Sequence, residues 1–378
     1  MTNERGGKRP RVAVLFGGES PEHEVSLQSA KNVIEAVDRD RWEVALIGID
    51  RRGRWHSADA STFLLDGSDP RRIRLGAGDR DVVLVPGAQS EIVALEAREA
   101  LPAVDVVFPV LHGPLGEDGT VQGLLRLAHI PFVGPGVLGS AVGMDKDVAK
   151  RLLRDAGIAV APFITIHRRA EAPSWEEASA ELGCPVFVKP ANMGSSVGVS
   201  RAGTAVDYAA ALDTAFSYDS KVLLEQTIEG REIECAVIGN EEPAASVPGE
   251  IVPRHDFYSY EAKYLDDGGA DLVIPADLDE ETTRRVRDLS VRTFRALCCE
   301  GMARVDFFLT KDGELVVNEI NTIPGFTRIS MYPKLWAASG VSYAELIDRL
   351  LELALERADR EASLASALDL LSSKEVVE

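Results

Sequence analysis

The 378-residue chain carries 41 basic and 61 acidic side chains, a formal net charge of −20. At about 150 residues per domain this length suggests about two or three domains with ample core, and the acidic balance repels phosphate backbones and anionic lipids, arguing against general nucleic-acid or membrane-surface binding. No run reaches the ~18 uninterrupted apolar residues of a membrane span, since Asp105 and prolines break even LPAVDVVFPVL.

After the basic N-terminus, VAVLF is shorter than the roughly 7–15 apolar residues of a signal peptide. Cys184, Cys235, Cys298 and Cys299 have no metal-ligand spacing, so they are expected to be reduced thiols in a cytoplasmic protein.

In chain order, RVAVLFGG predicts a strand and SPEHEVSLQSAKNVIEAVD a helix, with apolar spacing at Val25, Ala30, Val33, Ile34 and Val37. WEVALIGID follows as a strand. This βαβ unit is expected to extend through DVVLVPG and VDVVFPVLHG into an open, mostly parallel α/β sheet, with residues 51–78 forming a peripheral insertion. From Gly134 the pattern predicts a helix over MDKDVAKRLLRDAG ending at Gly157, strands APFITI and PVFVKP, the loop NMGSSVGV, a helix over Asp207 to Phe216 and the strand KVLLEQTI. Beyond Gly230 come strands REIECAVIGN and ASVPGEIV, a polar lid-like stretch HDFYSYEAKYLDDGGAD, and a helix ETTRRVRDLSVRTFRALCC. A hairpin and a final helix follow, with an acidic mobile tail at the end. The expected units are 1–134, 135–229 and 230–360, with the tail at 361–378.

In the hairpin FFLTKDGELVV, Asp312-Gly313 predicts a two-residue type I′ turn. That register opposes Asp306 to Glu319 and Arg304 to Asn321 and projects all four from one face. Val305, Phe307, Leu309, Val316 and Ile320 fall on the other, core-facing side, with Asn318 as a polar exception. Two opposed carboxylates repel one another, so something cationic belongs between them. With an amide oxygen they form a hard donor set suited to Mg²⁺ or Mn²⁺ bridging a phosphate. The alternative is a solvated polar face neutralised by Arg304.

Lys189-Pro190 leads into Gly194, Ser195, Ser196 and Gly198, a loop whose N–H groups and hydroxyls could cover phosphates or simply form a turn. Lys146, Lys189, Lys263 and Arg304 supply the local cations that an acidic protein needs to hold a triphosphate. There is no Walker A loop, and GPGVLG lies too deep in the chain, with Pro135 in its turn, to read as a dinucleotide fingerprint. The loop HGPLGEDGT follows a strand at the edge where open α/β sheets bind ligands, as does the loop bearing Glu22 and His23. His112 could cap its loop or line a substrate pocket there.

LFGGESPEHEVS, HGPLGEDGTVQG, GVLGSAVGMDK, VKPANMGSSVGVS, YEAKY, ARVDFF and NEINTIPGFT occur in an order that resembles the D-alanine–D-alanine ligase family of the ATP-grasp superfamily. The resemblance implies an N-terminal open, mostly parallel α/β substrate-binding domain followed by central and C-terminal ATP-grasp subdomains. It also implies ATP-dependent ligation of two D-alanine molecules through a D-alanyl phosphate, for peptidoglycan precursor synthesis, by a homodimer. By position, Lys146, Lys189 and Lys263 are implied to contact ATP phosphates, Glu225 and Ile228 the adenine, and Glu232 the ribose, with Ser196 in the same nucleotide-binding set. Asp306, Glu319 and Asn321 match ligands for two Mg²⁺ ions, with Mn²⁺ as a possible substitute. Glu22 is implied to hold the first D-alanine's ammonium, linked to Ser195 and Tyr264, with His112 beside it. Arg304 and the N–H of Gly325 match oxyanion binders, and Ser330 with the backbone of Met331 the site of the second carboxylate. Tyr264 favours a dipeptide product over D-alanyl-D-lactate. Gln226 stands where Lys is common in the family, and Cys298 where Gly is expected, a change expected to touch packing alone.

Overall fold

In the computed structural model, which describes residues 9–57, 64–65, 73–76, 80–87, 92–253 and 270–364, the N-terminal sheet is organised around β1 (Arg11–Gly17). Val12 through Phe16 are fully buried, as expected for a strand covered on both faces. Val12, Val14 and Phe16 join one core, and Ala13 and Leu15 the opposite one. Helix α1 (His23–Ala36) crosses over to β2 (Glu43–Ile49), which pairs parallel with β1.

Strands β3 (Trp55–Ser57), β6 (Arg80–Leu84), β7 (Ile92–Ala94) and β8 (Glu99–Ala100) extend that edge antiparallel, while β4 (Leu64–Leu65) and β5 (Arg74–Leu75) pair separately. Strand β9 (Val106–Val110) pairs parallel on the other side of β1. The parallel expectation thus describes β2-β1-β9. DVVLVPG instead joins an antiparallel meander, because the short links between β6, β7 and β8 leave no room for a crossover helix.

Helix α2 (Thr120–Leu127) follows the loop after β9. The helix expected from Met144 is two helices, α3 (Val137–Met144) and α4 (Lys146–Asp155). They break at Asp145, whose extended backbone and side chain, accepting the Val148 N–H at 3.0 Å, cap the second helix.

An antiparallel sheet follows, of β10 (Phe163–His167), β11 (Val186–Pro190), β12 (Ser200–Ala202) and β13 (Lys221–Gln226), in the order β10-β13-β11-β12. Helices α5 (Trp175–Leu182) and α6 (Ala205–Tyr218) bury Ala178, Leu182, Ala211 and Ala215 in its core.

The last sheet contains β14 (Gly230–Gly239), β15 (Ala244–Ala245), β16 (Gly249–Pro253), β17 (Ala270–Val273), β18 (Gly301–Thr310) and β19 (Leu315–Asn321), with its main path β17-β16-β14-β18-β19. Helix α7 (Glu280–Ala296) packs Val286 and Phe294 against it. Helices α8 (Met331–Ala338) and α9 (Tyr343–Ala362) contribute Tyr332, Leu335, Leu346 and Leu350 to the core that also holds Phe16 and Phe108. First and last units therefore share one interior. Buried Arg357 of α9 reinforces the join, donating to the carbonyls of Gly134 and Phe132 at 2.6 Å each.

Helix α9 runs past the expected boundary at residue 360. Residues 255–269 of the lid-like stretch, with Lys263 and Tyr264, and residues 365–378 of the expected tail lie outside the described residues, while the last two residues of that stretch, Ala270 and Asp271, open β17. All four cysteines are free. Among the described residues no helix is long and apolar enough to cross a membrane.

Candidate active site

The β18–β19 hairpin differs at its turn from the expected geometry. Positive φ occurs at Gly313 (+80°) but not at Asp312, and Thr310 pairs with Glu314 around a three-residue loop, so the turn is the longer type with a left-handed glycine. Leu309 consequently faces Leu315, and Phe307 faces Val317. A bulge then leaves Asn318 without a cross-strand partner, after which Asp306 faces Glu319 and Arg304 faces Asn321. The expected acid pairing is therefore present. The core side is corrected: Leu315 and Val317 are buried, whereas Val316 and Asn318 are not.

On the acid face, Arg304 Nε and Nη2 donate to the two oxygens of Asp306 at 2.7 Å each, and Nε also lies 2.9 Å from Glu234 Oε2. The Asn321 amide donates to Asp306 Oδ2 at 2.9 Å. Lys146, the first residue of α4, places Nζ 3.7 Å from Glu319 Oε2 and donates to the Met193 carbonyl at 2.6 Å. Cations thus flank both opposed acids, satisfying the electrostatic demand read from the hairpin. Two carboxylates and an amide oxygen suit a small divalent cation. Among the described residues no group of three or more His, Cys, Asp or Glu forms a fuller cage.

At the neighbouring rim, Glu22 is buried at the start of α1. The hydroxyl of Ser195, in the glycine–serine loop after β11, donates to its Oε1. Ser195 and Ser196 both adopt positive φ, +50° and +60°, conformations that cost non-glycine residues energy and cluster at ligand sites. Close approach explains the glycine of the HG pair: a Cβ on Gly113 would lie 2.9 Å from Glu22 Oε2 and 2.7 Å from Ser20 Oγ.

His112 is buried, with Nδ1 donating to the Ile323 carbonyl at 3.0 Å, which leaves Nε2 to accept from the Ser29 hydroxyl at 3.1 Å. Burial lowers its pKa to about 4, against the opposing effect of the Ile323 bond. It is a neutral ring that ties α1 to the segment after β19. Ser29 also accepts the Phe326 N–H at 3.1 Å, fixing the same segment.

Downstream, Ser330 Oγ accepts the Thr327 N–H at 3.0 Å, and Gly325 lies so close that a Cβ would sit 2.7 Å from that oxygen. Ser330 and Met331 stand at the N-terminus of α8, where first-turn N–H groups and the helix dipole favour an anion.

Lys189 Nζ pairs with Glu225 Oε1 at 2.7 Å on the buried floor of the central sheet. Ile228 lies in the link from β13 to β14, and Glu232 follows on β14. Two further residues belong to this constellation. Lys150 reaches the other oxygen of Glu225 at 2.8 Å. Glu117 accepts N–H bonds from Gly113 at 2.6 Å and Ile323 at 3.2 Å. Burial, and then the Glu22 charge, push the Glu117 carboxyl up to about 8. In the sequence Glu117 resembles an acid leading into a helix. Lys150 shows no signal beyond its four-residue spacing from Lys146.

Residues 11–135 match the D-ala D-ala ligase N-terminus family and residues 152–352 the D-ala D-ala ligase C-terminus family. The chain is 56% identical over 362 residues to a D-alanine–D-alanine ligase of Shouchella clausii, covering 95% of this chain and 98% of that one. It is 58% identical over 357 residues to D-alanine–D-alanine ligase A of Chromobacterium violaceum, covering 94% and 98%. The solved structure of the D-alanine-D-alanine ligase from Coxiella burnetii superposes with a TM-score of 0.81 at 36% identity, covering 97% of this chain and 98% of that one.

Proposed function

The chain belongs to the D-alanine–D-alanine ligase family, and on that premise we propose that it joins two D-alanine molecules at the expense of ATP, through a D-alanyl phosphate. The observation that carries this reading is the meeting of three chemistries at one rim. Lys146 lies 3.7 Å from Glu319, Arg304 grips Asp306, and Ser195 bonds Glu22.

A free carboxylate is a poor electrophile, so amide formation at neutral pH needs prior activation by phosphoryl transfer. In this reading Lys146, Lys189 and Lys263 neutralise phosphate oxygens, with Ser196 in the covering loop, while Glu225, Ile228 and Glu232 receive the nucleoside. Asp306, Glu319 and Asn321 would hold two Mg²⁺ ions, or Mn²⁺ in their place, which supply charge neutralisation at the transferring phosphoryl group. Glu22, oriented by Ser195 and linked to Tyr264, accepts the ammonium of the first D-alanine beside His112. Ser330 and Met331 take the carboxylate of the second at the start of α8. Arg304 and the Gly325 N–H stabilise the oxyanion that develops when the second amine attacks. The polar stretch HDFYSYEAKYLDDGGAD, residues 255–271, is taken in this reading as a lid that excludes water, since acyl phosphates hydrolyse.

The units 1–134, 135–229 and 230–360 act as substrate-binding, central and C-terminal nucleotide-binding parts of a cytoplasmic homodimer. Product analysis with ATP, Mg²⁺ and D-alanine, with D-lactate as competitor, tests the reading. D-Alanyl-D-alanine with stoichiometric ADP is expected. Failure to form the dipeptide, or preferential formation of D-alanyl-D-lactate, would overturn it.

A further inference from the structure

Glu225 is held from two sides by cations of unequal freedom. Lys189 reaches Oε1 at 2.7 Å with its side chain 12% exposed, whereas Lys150 reaches Oε2 at 2.8 Å with its side chain 2% exposed. The Lys150 ammonium also lies 5.9 Å from the centre of the Phe163 ring. Lysine is almost never this buried without a paired acid, because the desolvation penalty amounts to several kcal/mol per ion. The reading above takes Lys189 to ATP phosphates. That movement removes one of the two charges on which Glu225 depends.

Resting on that reading, we infer that Lys150 is a specificity-determining positioning residue, which holds Glu225 as an acceptor-only carboxylate so that the site selects a purine with a 6-amino group. An ionised carboxylate has lone pairs and no proton to donate. It therefore accepts from the 6-amino N–H of adenine and repels the 6-oxo oxygen of hypoxanthine or guanine. A buried carboxyl without a cation takes up a proton instead, and its O–H could then donate to a 6-oxo group. Burial pushes the Glu225 carboxyl up, and the charges of Lys189 and Lys150 more than reverse this, leaving it below the ordinary carboxylate value. Once Lys189 turns to phosphate, Lys150 alone maintains that state. Its burial on α4 denies it any other partner among the phosphates.

The test uses the full chain, with dipeptide formation driven by ATP or by inosine triphosphate, whose base carries a 6-oxo group. Wild type is expected to favour ATP. Lys150→Met, which conserves side-chain length, should lower the ATP-to-inosine ratio of kcat/KM by about tenfold, the scale of one hydrogen bond to a charged group. KM for ATP should rise more than kcat falls. In a Glu225→Gln background, where the amide offers donor and acceptor alike, Lys150→Met should change the ratio little further. An unchanged ratio in Lys150→Met, or an equal change in both backgrounds, would overturn the inference. If Lys150→Met does not accumulate as folded protein, Lys150→Gln and Glu225→Gln carry the test, each expected to show the same tenfold fall, and an unaltered ratio in either counts against it. A wild type that forms no dipeptide with ATP refutes the ligase reading itself, and is recognised before any variant is compared.

Discussion

Ser195 donates its hydroxyl hydrogen to Glu22 across 173 residues of chain, joining the loop after β11 to the start of α1. The bond orients a buried carboxylate whose proposed task is to hold an ammonium. Ser195→Ala should therefore raise KM for the first D-alanine by about tenfold, the scale of one charge-assisted hydrogen bond, with nucleotide affinity nearly unchanged. Ser195→Gly relieves the positive φ at this position while deleting the same hydroxyl. Equal losses in both variants, measured by steady-state kinetics, place the effect in the hydroxyl. Recovery in Ser195→Gly alone would place it in the backbone.

Neutralising one member of the opposed acid pair removes a charged donor to the proposed Mg²⁺ and leaves Lys146 without its acidic neighbour. Glu319→Gln should retain the fold and lose roughly 10²-fold or more in turnover. Rates at saturating Mg²⁺ check this, and wild-type turnover there would remove Glu319 from the metal set. Asp306→Asn should behave similarly.

Arg304 has two separable duties. It neutralises Asp306 and Glu234, whose side chains are only 13% and 8% exposed, so Arg304→Met should destabilise the apo protein by about 2–4 kcal/mol. If it also binds the reaction's oxyanion, Mg²⁺ should restore much of the stability while product formation stays down by roughly 10²–10³-fold. Melting curves with and without Mg²⁺ and ATP, beside dipeptide rates, distinguish the two. Near-normal turnover on adding Mg²⁺ alone would confine Arg304 to charge balance.

Glu117 predicts a specific pH dependence. Its pKa rises from 4.5 to about 8 on folding, so the folded state binds its proton more tightly and the associated stability is fully present below pH 4.5. It is lost as pH rises toward 8. Wild-type apo protein should therefore lose about 2–4 kcal/mol relative to Glu117→Gln across that window, on top of any constant offset from the amide. Denaturation at a series of pH values measures the difference, and parallel curves would show that Glu117 stays ionised.

Cys298 occupies the left-handed position just after α7, at φ +55°. Its departure from the expected glycine concerns backbone conformation, which corrects the expectation that packing alone is affected. Cys298→Gly should stabilise the fold by about 1 kcal/mol, read as a shift in thermal midpoint with activity unaltered.

Legibility in the sequence followed the range of the interaction. Asp306 and Glu319 stand out because the hairpin opposes two like charges, a pairing that survives the longer turn only because the bulge at Asn318 offsets it, and α1, α6 and α7 follow from apolar spacing over three or more turns. The antiparallel direction of β6 is not legible because an apolar run carries no record of its partner. Asp145 interrupts a helical pattern through its capping bond, which competes with helix continuation at a single residue. Lys150 looks in the sequence like any solvated lysine of an amphipathic helix, and only the packing of α4 beside β13 brings it to Glu225. Glu117 depends on Ile323, more than two hundred residues away.

Asn318 gives β19 two phases. Between the turn and Val317 the strand counts its faces in one parity, and from Glu319 onward in the other. The extra residue offsets the register that the three-residue turn imposes, so that Glu319 still meets Asp306 on the acid face. If the same residues ran in unbroken alternation, either the acid face or the apolar interior would be surrendered: Glu319 would fall on the face of Leu315 and Val317, or those two would turn out to solvent. Removal of Asn318 itself would leave every one of the hairpin's pairs in place. A relative of the same length that lacks the bulge while keeping both acids opposed would need a different turn to compensate.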